Sequence, residues 1–285
     1  MFLSIITTIS FALLGHLVIG GPVKVSQDIT PQIVGGVEAP INYAPHMMAL
    51  VFGTNIVNFM CGASIVTECH VLTAAHCIDA LMGDVNTLLP SLRGVYGSNE
   101  WRSTEKNATF KGYINHEKWN IFILKNDIGV LFLSEKLSRS DKWNIIPLEY
   151  DWVEAGEKSY VTGWGTLWAW GPHPPKLQLL YVETIGEEEC AQGVAKASAE
   201  DYGNHYVDQN LEICTMHEKG NGFGMCFGDS GSALVSLSSG KQIGIVSWGF
   251  PCALGAPDMF VRVSGFKDFL KDILKDCDKC AEKNE

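Results

Sequence analysis

Short apolar runs separated by turn residues recur along most of this chain, and they constrain its fold more than any other feature. Met47–Phe52, Ile128–Leu133, Ser159–Thr162, Ser232–Val235 and Gln242–Val246 are each rich in Val, Ile, Leu, Met or aromatic residues. Runs of roughly four to eight residues, bounded by glycine and polar residues, have the length and composition of strands. With 29 glycines spread among them, the pattern predicts an all-β barrel or sandwich. Only the tail, Val263 to Cys277, shows a helical period, with Phe266, Phe269, Leu270, Ile273 and Leu274 on one face.

At 285 residues the chain can bury one large core or two halves packed together. Its 46% hydrophobic content sets it apart from disordered chains. A net charge of −11 without a basic cluster argues against nucleic acid and anionic membranes as partners, because both are held through basic patches.

Residues 1–20 are almost wholly apolar and end in Val18-Ile19-Gly20. This stretch reads as a cleaved signal peptide rather than a membrane anchor: it is barely long enough to span a bilayer, and no basic stop-transfer residues follow. The basic residues that usually open a signal peptide are missing. Residues 21–32, punctuated by Pro22 and Pro31, read as an exposed extension. Secretion then makes the nine cysteines disulfide formers with at least one odd thiol. Their spacing matches no metal motif and no carboxylate-rich calcium loop is visible, so neither metal nor cofactor is expected.

Three stretches carry possible chemistry. Met225-Cys226-Phe227-Gly228-Asp229-Ser230-Gly231-Ser232 sets a serine between glycines, where the backbone can turn sharply enough to aim two N–H groups at one oxygen. Thr73-Ala74-Ala75-His76-Cys77 follows an apolar strand, and Asn126-Asp127 opens the run to Leu133. Each alone could be structural: a turn serine, a core histidine, a strand-initiating carboxylate. Together they stand in the order His, Asp, Ser, one of the orders in which a hydrolytic triad occurs.

Ile33-Val34-Gly35-Gly36, Cys61-Gly62-Ala63-Ser64, the His76 and Asp127 stretches, Gly163-Trp164-Gly165-Thr166, Gly228-Asp229-Ser230-Gly231 and Ser247-Trp248-Gly249 resemble, in register, the signatures of the trypsin/chymotrypsin family of serine proteases. The segment from Gly244 to Val263 looks most like chymotrypsin-like proteases of lepidopteran insects, many of them digestive. The resemblance implies two packed six-stranded antiparallel β-barrels and a C-terminal helix near residues 264–276, with the catalytic residues between the barrels. It implies Ser230 as nucleophile, His76 as general base and acid, Asp127 as the group that orients the imidazole, and Gly228 and Ser230 as oxyanion donors. Ser247, Trp248 and Gly249 would pair with substrate backbone. It also implies the disulfides Cys61–Cys77, Cys190–Cys214 and Cys226–Cys252, leaving Cys69, Cys277 and Cys280 unassigned, with one pair among these able to staple the terminal helix to the first barrel. Protein substrates, a monomer and protein protease inhibitors as further partners are the expected associations.

The resemblance further implies a zymogen in which cleavage after Gln32 frees Ile33 to pair with Asp229. Gln32 departs from the usual Arg or Lys, so the activating protease is expected not to be trypsin-like. Gly224 falls at the base of the specificity pocket and carries no charge, which implies a preference for large apolar residues. Asp258 stands where the pattern has a glycine on the pocket wall, and either admits basic side chains or bonds local backbone and faces away. Asn107-Ala108-Thr109 is a glycosylation acceptor sequence. Lysines outnumber arginines 17 to 4, which lends no support to adaptation to a strongly alkaline gut. The alternatives are a non-catalytic homologue used as a binding module, and a limited-proteolysis enzyme of haemolymph or venom.

Overall fold

In a computed structural model, residues 33–83, 87–138, 140–201, 205–250, 252–275 and 277 are described. The expected signal peptide, the extension through Gln32, and Cys280 lie outside them.

The apolar runs form two antiparallel sheets. The first contains β2 (Met47–Phe52), β3 (Asn58–Ile65), β4 (His70–Thr73), β5 (Arg93–Tyr96), β6 (Asn107–Ala108), β7 (Phe110–Asn115) and β8 (Gly129–Leu133), in the order β6-β5-β2-β3-β4-β8-β7. The second contains β1 (Val37–Glu38), β9 (Lys158–Gly163), β10 (Gln178–Thr184), β11 (Glu212–Met216), β12 (Ala233–Ser236), β13 (Gln242–Gly249) and β14 (Asp258–Arg262), in the order β1-β10-β11-β14-β13-β12-β9. A β9–β10 pairing closes six of these into a barrel, with the two-residue β1 added along β10. Each expected six-stranded unit therefore carries one short extra strand. Asn107, on β6, is exposed.

β2, β4 and β12 are buried along almost their whole length, as expected for strands packed on both faces. Met48, Leu50, Ile65, Leu72, Leu131 and Ile128 fill the first barrel, and Val161, Leu180, Ile213, Leu234 and Phe260 the second. The barrels are joined by specific contacts. The Ser64 hydroxyl on β3 donates to Gln242 Oε1 on β13 at 2.7 Å, and the Gly62 N–H donates to the Ser230 carbonyl at 2.8 Å.

Helices are more extensive than the tail alone. A short α1 (Ala75–Ala80) follows β4, and α2 (Glu187–Asp201) occupies the long loop between Cys190 and Cys214. α2 corrects the expectation that only the tail is helical. Its buried residues, Cys190, Val194 and Ser198, recur every fourth position but include one large apolar side chain, too thin a stripe to register as amphipathic. The tail begins as a 3₁₀ turn (Val263–Phe266) and becomes α3 at Lys267–Ile273. A Cβ at Gly265 would sit 2.2 Å from the Asn210 carbonyl oxygen, so that turn packs against backbone where only glycine fits.

Disulfides join Cys61 to Cys77, Cys190 to Cys214, Cys226 to Cys252, and Cys69 to Cys277. The last closes a separation of 208 residues and staples the end of the tail to the first barrel just before β4.

Candidate active site

β4 delivers His76 to the first turn of α1, and the Cys61–Cys77 bridge tethers the next residue to β3. Asp127 arrives at the mouth of β8 by a turn in which Leu124 and Asn126 both adopt positive φ, 51° and 58°. Asn tolerates this conformation and Leu rarely does, so surrounding packing has to hold it. The Asp127 carboxylate is buried, and among the described residues it receives donors from His76 and Ser247. Oδ1 accepts from the His76 backbone N–H at 2.9 Å, and Oδ2 from His76 Nδ1 at 2.7 Å and the Ser247 hydroxyl at 2.6 Å. These bonds fix the imidazole with its Nδ1 proton toward Asp127 and Nε2 turned away. Burial disfavours the imidazolium, but the Asp127 charge and hydrogen bond, with Asp79 adding, more than reverse this and hold the His76 pKa above its ordinary value.

Ser247 reaches Asp127 because β13 carries a bulge. Val246 pairs with Phe260 and Trp248 with Met259, so Ser247 is the extra residue in the ladder. The resemblance places Ser247 on the substrate edge only; its bond to Asp127 depends on the bulge, which no linear pattern announces.

Ser230 sits where several constraints meet. Its carbonyl accepts from Gly62 N–H, adjacent to Cys61, whose bridge partner adjoins His76. Gly231 has φ +79°, and a Cβ there would meet Thr73 Oγ1 at 2.2 Å. Gly228 has φ +95°, and a Cβ would strike the His173 ring at 2.6 Å. The Phe227 carbonyl accepts from Thr166 N–H at 2.7 Å. In a trans peptide this turns the Gly228 N–H to the opposite side.

Beside Ser230 is a cavity of about 200 Å³ lined by Met225, Phe227, Val246, Ser247, Trp248 and Asp258 among others. Gly249 also lines it, whereas Gly224 lies buried behind Asp258. A Cβ at Gly224 would come within 2.9 Å of Asp258 Oδ2. Asp258 is among the residues that line the cavity, and its Oδ2 accepts the Met225 N–H at 3.1 Å. Burial pushes its pKa up to about 7, the Met225 amide opposing and the nearby Asp229 charge adding.

Asp229 is wholly buried. Its oxygens accept from Gly165 N–H at 2.8 Å and Cys226 N–H at 3.0 Å, and burial, partly offset by these amides, pushes its pKa up to about 7. Ile33 is also fully buried, in the second-barrel core, and Val34 accepts from Gly224 N–H at 3.1 Å.

Two antiparallel β-barrels, with the buried Asp127 bonded to His76 and Ser230 lining a cavity, have the architecture of the serine hydrolases built on paired β-barrels. The comparisons agree. Residues 33–270 match the Trypsin family model. "Chymotrypsin-2" of Vespa crabro is 31% identical over 246 residues, covering 84% of this chain and 98% of that protein. "Trypsin-1" of Astacus astacus is 31% identical over 245 residues (84% and 98%), and "Trypsin" of Phaedon cochleariae 27% over 268 residues (93% and 97%). This chain belongs to the trypsin family and is a serine endopeptidase.

Proposed function

We propose that the protein is a secreted digestive endopeptidase, made as a zymogen, that cleaves after large apolar residues through an acyl-enzyme on Ser230. The observation that carries this reading is the bonding of Asp127 to His76 and Ser247 beside a cavity that Ser230 lines. Ser230 Oγ attacks the substrate carbonyl as His76 Nε2 takes its proton, and the oxyanion receives the Gly228 and Ser230 N–H groups. Asp127 stabilises the imidazolium. His76 then passes the proton to the departing amine, the C–N bond breaks, and water repeats the sequence to release the acid. One oxyanion donor is worth about 3 kcal/mol of transition-state stabilisation.

Activation by cleavage after Gln32 rests on electrostatics. Asp229 is a fully buried carboxyl with its pKa pushed up to about 7, bonded among the described residues to backbone N–H groups, and an ammonium on Ile33 would supply a countercharge. The cavity's apolar lining supports Phe, Tyr, Leu or Met before the scissile bond, each worth about 1.5 to 3 kcal/mol on burial. Asp258 adds acceptance of Arg and Lys when ionised. A peptide-library cleavage profile of the processed protein tests the reading: enrichment of large apolar residues before the cut supports it, and cleavage after small or acidic residues contradicts it.

A further inference from the structure

Asn107-Ala108-Thr109 has no part in the catalytic site. It is also unique in the chain, since no other asparagine is followed two positions later by serine or threonine. Such a tripeptide, with any residue but proline in the middle, is the acceptor for an N-linked oligosaccharide in the secretory pathway. Whether the folded chain has room for the sugar depends on the surface around it.

β6 is a terminal strand of its sheet, pairing with β5 through Asn107 with Val95 and Ala108 with Gly94. Side chains alternate between the two faces of an extended strand. Ala108 is accordingly buried at 8% exposure, while Asn107 and Thr109 are both exposed. The amide that would carry the sugar and the hydroxyl that the acceptor requires thus share one solvent face. Among the described residues the Asn107 side chain takes no hydrogen bond, so a sugar on it breaks none. The backbone on either side is pinned: the Lys106 carbonyl accepts the Tyr96 N–H at 3.3 Å, and the Thr109 carbonyl accepts the Ser134 N–H at 2.9 Å. The neighbouring surface is hydrated, with an exposed ion pair between Glu105 and Lys142 at 2.6 Å. β5, β2 and β3 separate β6 from β4, the strand that delivers His76, and Asn107 does not line the cavity beside Ser230. A bulky hydrated group here leaves the approach of substrate open, and it obstructs pairing of another chain with the sheet edge.

We infer that Asn107 is a modification site that carries an N-linked oligosaccharide, an inference that rests on the proposed secretion. The donor is a polyprenyl-pyrophosphate-linked oligosaccharide. Asn107 Nδ2 bonds the anomeric carbon of its first N-acetylglucosamine, the bond from that carbon to the pyrophosphate oxygen breaks, and the lipid pyrophosphate leaves as Nδ2 gives up one proton.

The test expresses the full chain in a eukaryotic cell line and isolates the protein from the medium. Peptides released by cleavage after glutamate are treated with peptide-N-glycosidase A in heavy-oxygen water. The expected result is a sugar-bearing Asn107 that this treatment converts to oxygen-labelled Asp. Asn107→Gln and Thr109→Ala should each abolish the sugar, and Thr109→Ser, which keeps the acceptor hydroxyl, should retain it. Secreted parent protein with an unmodified Asn107 would overturn the inference. Failure of the chain to reach the medium counts against the secreted reading alone. A second chain, with residues 1–20 replaced by the signal peptide of a known secreted protein, then decides: sugar on Asn107 supports the inference, and an unmodified Asn107 refutes it.

Discussion

The Asp258 carboxylate occupies the space that a side chain at Gly224 would need, its Oδ2 lying 2.9 Å from where that Cβ would be. The two positions therefore act as one unit: an absent side chain on one segment admits a buried carboxylate from the strand facing it. Its charge state follows from burial. With its pKa near 7, Asp258 is mostly neutral at pH 6 and mostly ionised at pH 8. The ratio of kcat/KM for an Arg substrate over a Phe substrate is expected to rise severalfold between these values, while any titration of His76 cancels in the ratio. Asp258→Asn should flatten it. A ratio independent of pH in the parent protein would remove Asp258 from specificity.

Ser247 is expected to tune the histidine. Removing its hydroxyl takes one charge-assisted bond from Asp127, which then favours the imidazolium more strongly. Ser247→Ala should lower kcat by about tenfold, consistent with ~1.5 kcal/mol for a bond to a charged group, and move the acid limb of the pH–rate profile upward. A downward shift would contradict this electrostatic role.

Asp229 gives the activation reading its sharpest consequence. Asp229→Asn removes the partner proposed for the Ile33 ammonium, and kcat/KM is expected to fall by about a hundredfold, comparable to losing an oxyanion donor. The wild-type enzyme should also lose activity above roughly pH 8 as that amine deprotonates, unless pairing raises its pKa further. Trypsin should leave the Gln32–Ile33 bond uncut. Prompt cleavage there with full activation would contradict the requirement for a different processing enzyme.

His46 offers a stability test apart from catalysis. Burial lowers its pKa from 6.5 to about 4, so the folded protein keeps the ring neutral while the unfolded chain protonates it below 6.5. The unfolded state then binds more protons, and stability falls as pH drops from about 6.5 toward 4, by about 3 kcal/mol in all. Denaturant unfolding at pH 7 and pH 4.5 should show a smaller acid loss for His46→Phe than for the parent.

The fold and the pairing of His76 with Asp127 are legible in the sequence, and so is the stretch of the proposed nucleophile, because all rest on local signals. Short apolar runs become strands, and His76, Asp127 and Ser230 each sit in a stretch with its own turn chemistry. The harder features depend on distance or on thin patterns. α2 escapes because Cys190, Val194 and Ser198 make a weak apolar stripe. The Ser247–Asp127 bond depends on a bulge, and the Lys125–Glu212 pair on a contact across 87 positions. Linear sequence cannot choose among Cys69, Cys277 and Cys280, and it is the tertiary fold that brings Cys277 to Cys69.

The most direct measurement is active-site titration of the processed protein with a serine-reactive phosphonylating reagent, followed by mapping of the adduct. One adduct per molecule on Ser230, abolished by Ser230→Ala and strongly slowed by His76→Ala, is the result predicted here. Processed, folded protein that takes up no label at Ser230 would contradict the assignment of Ser230 as nucleophile.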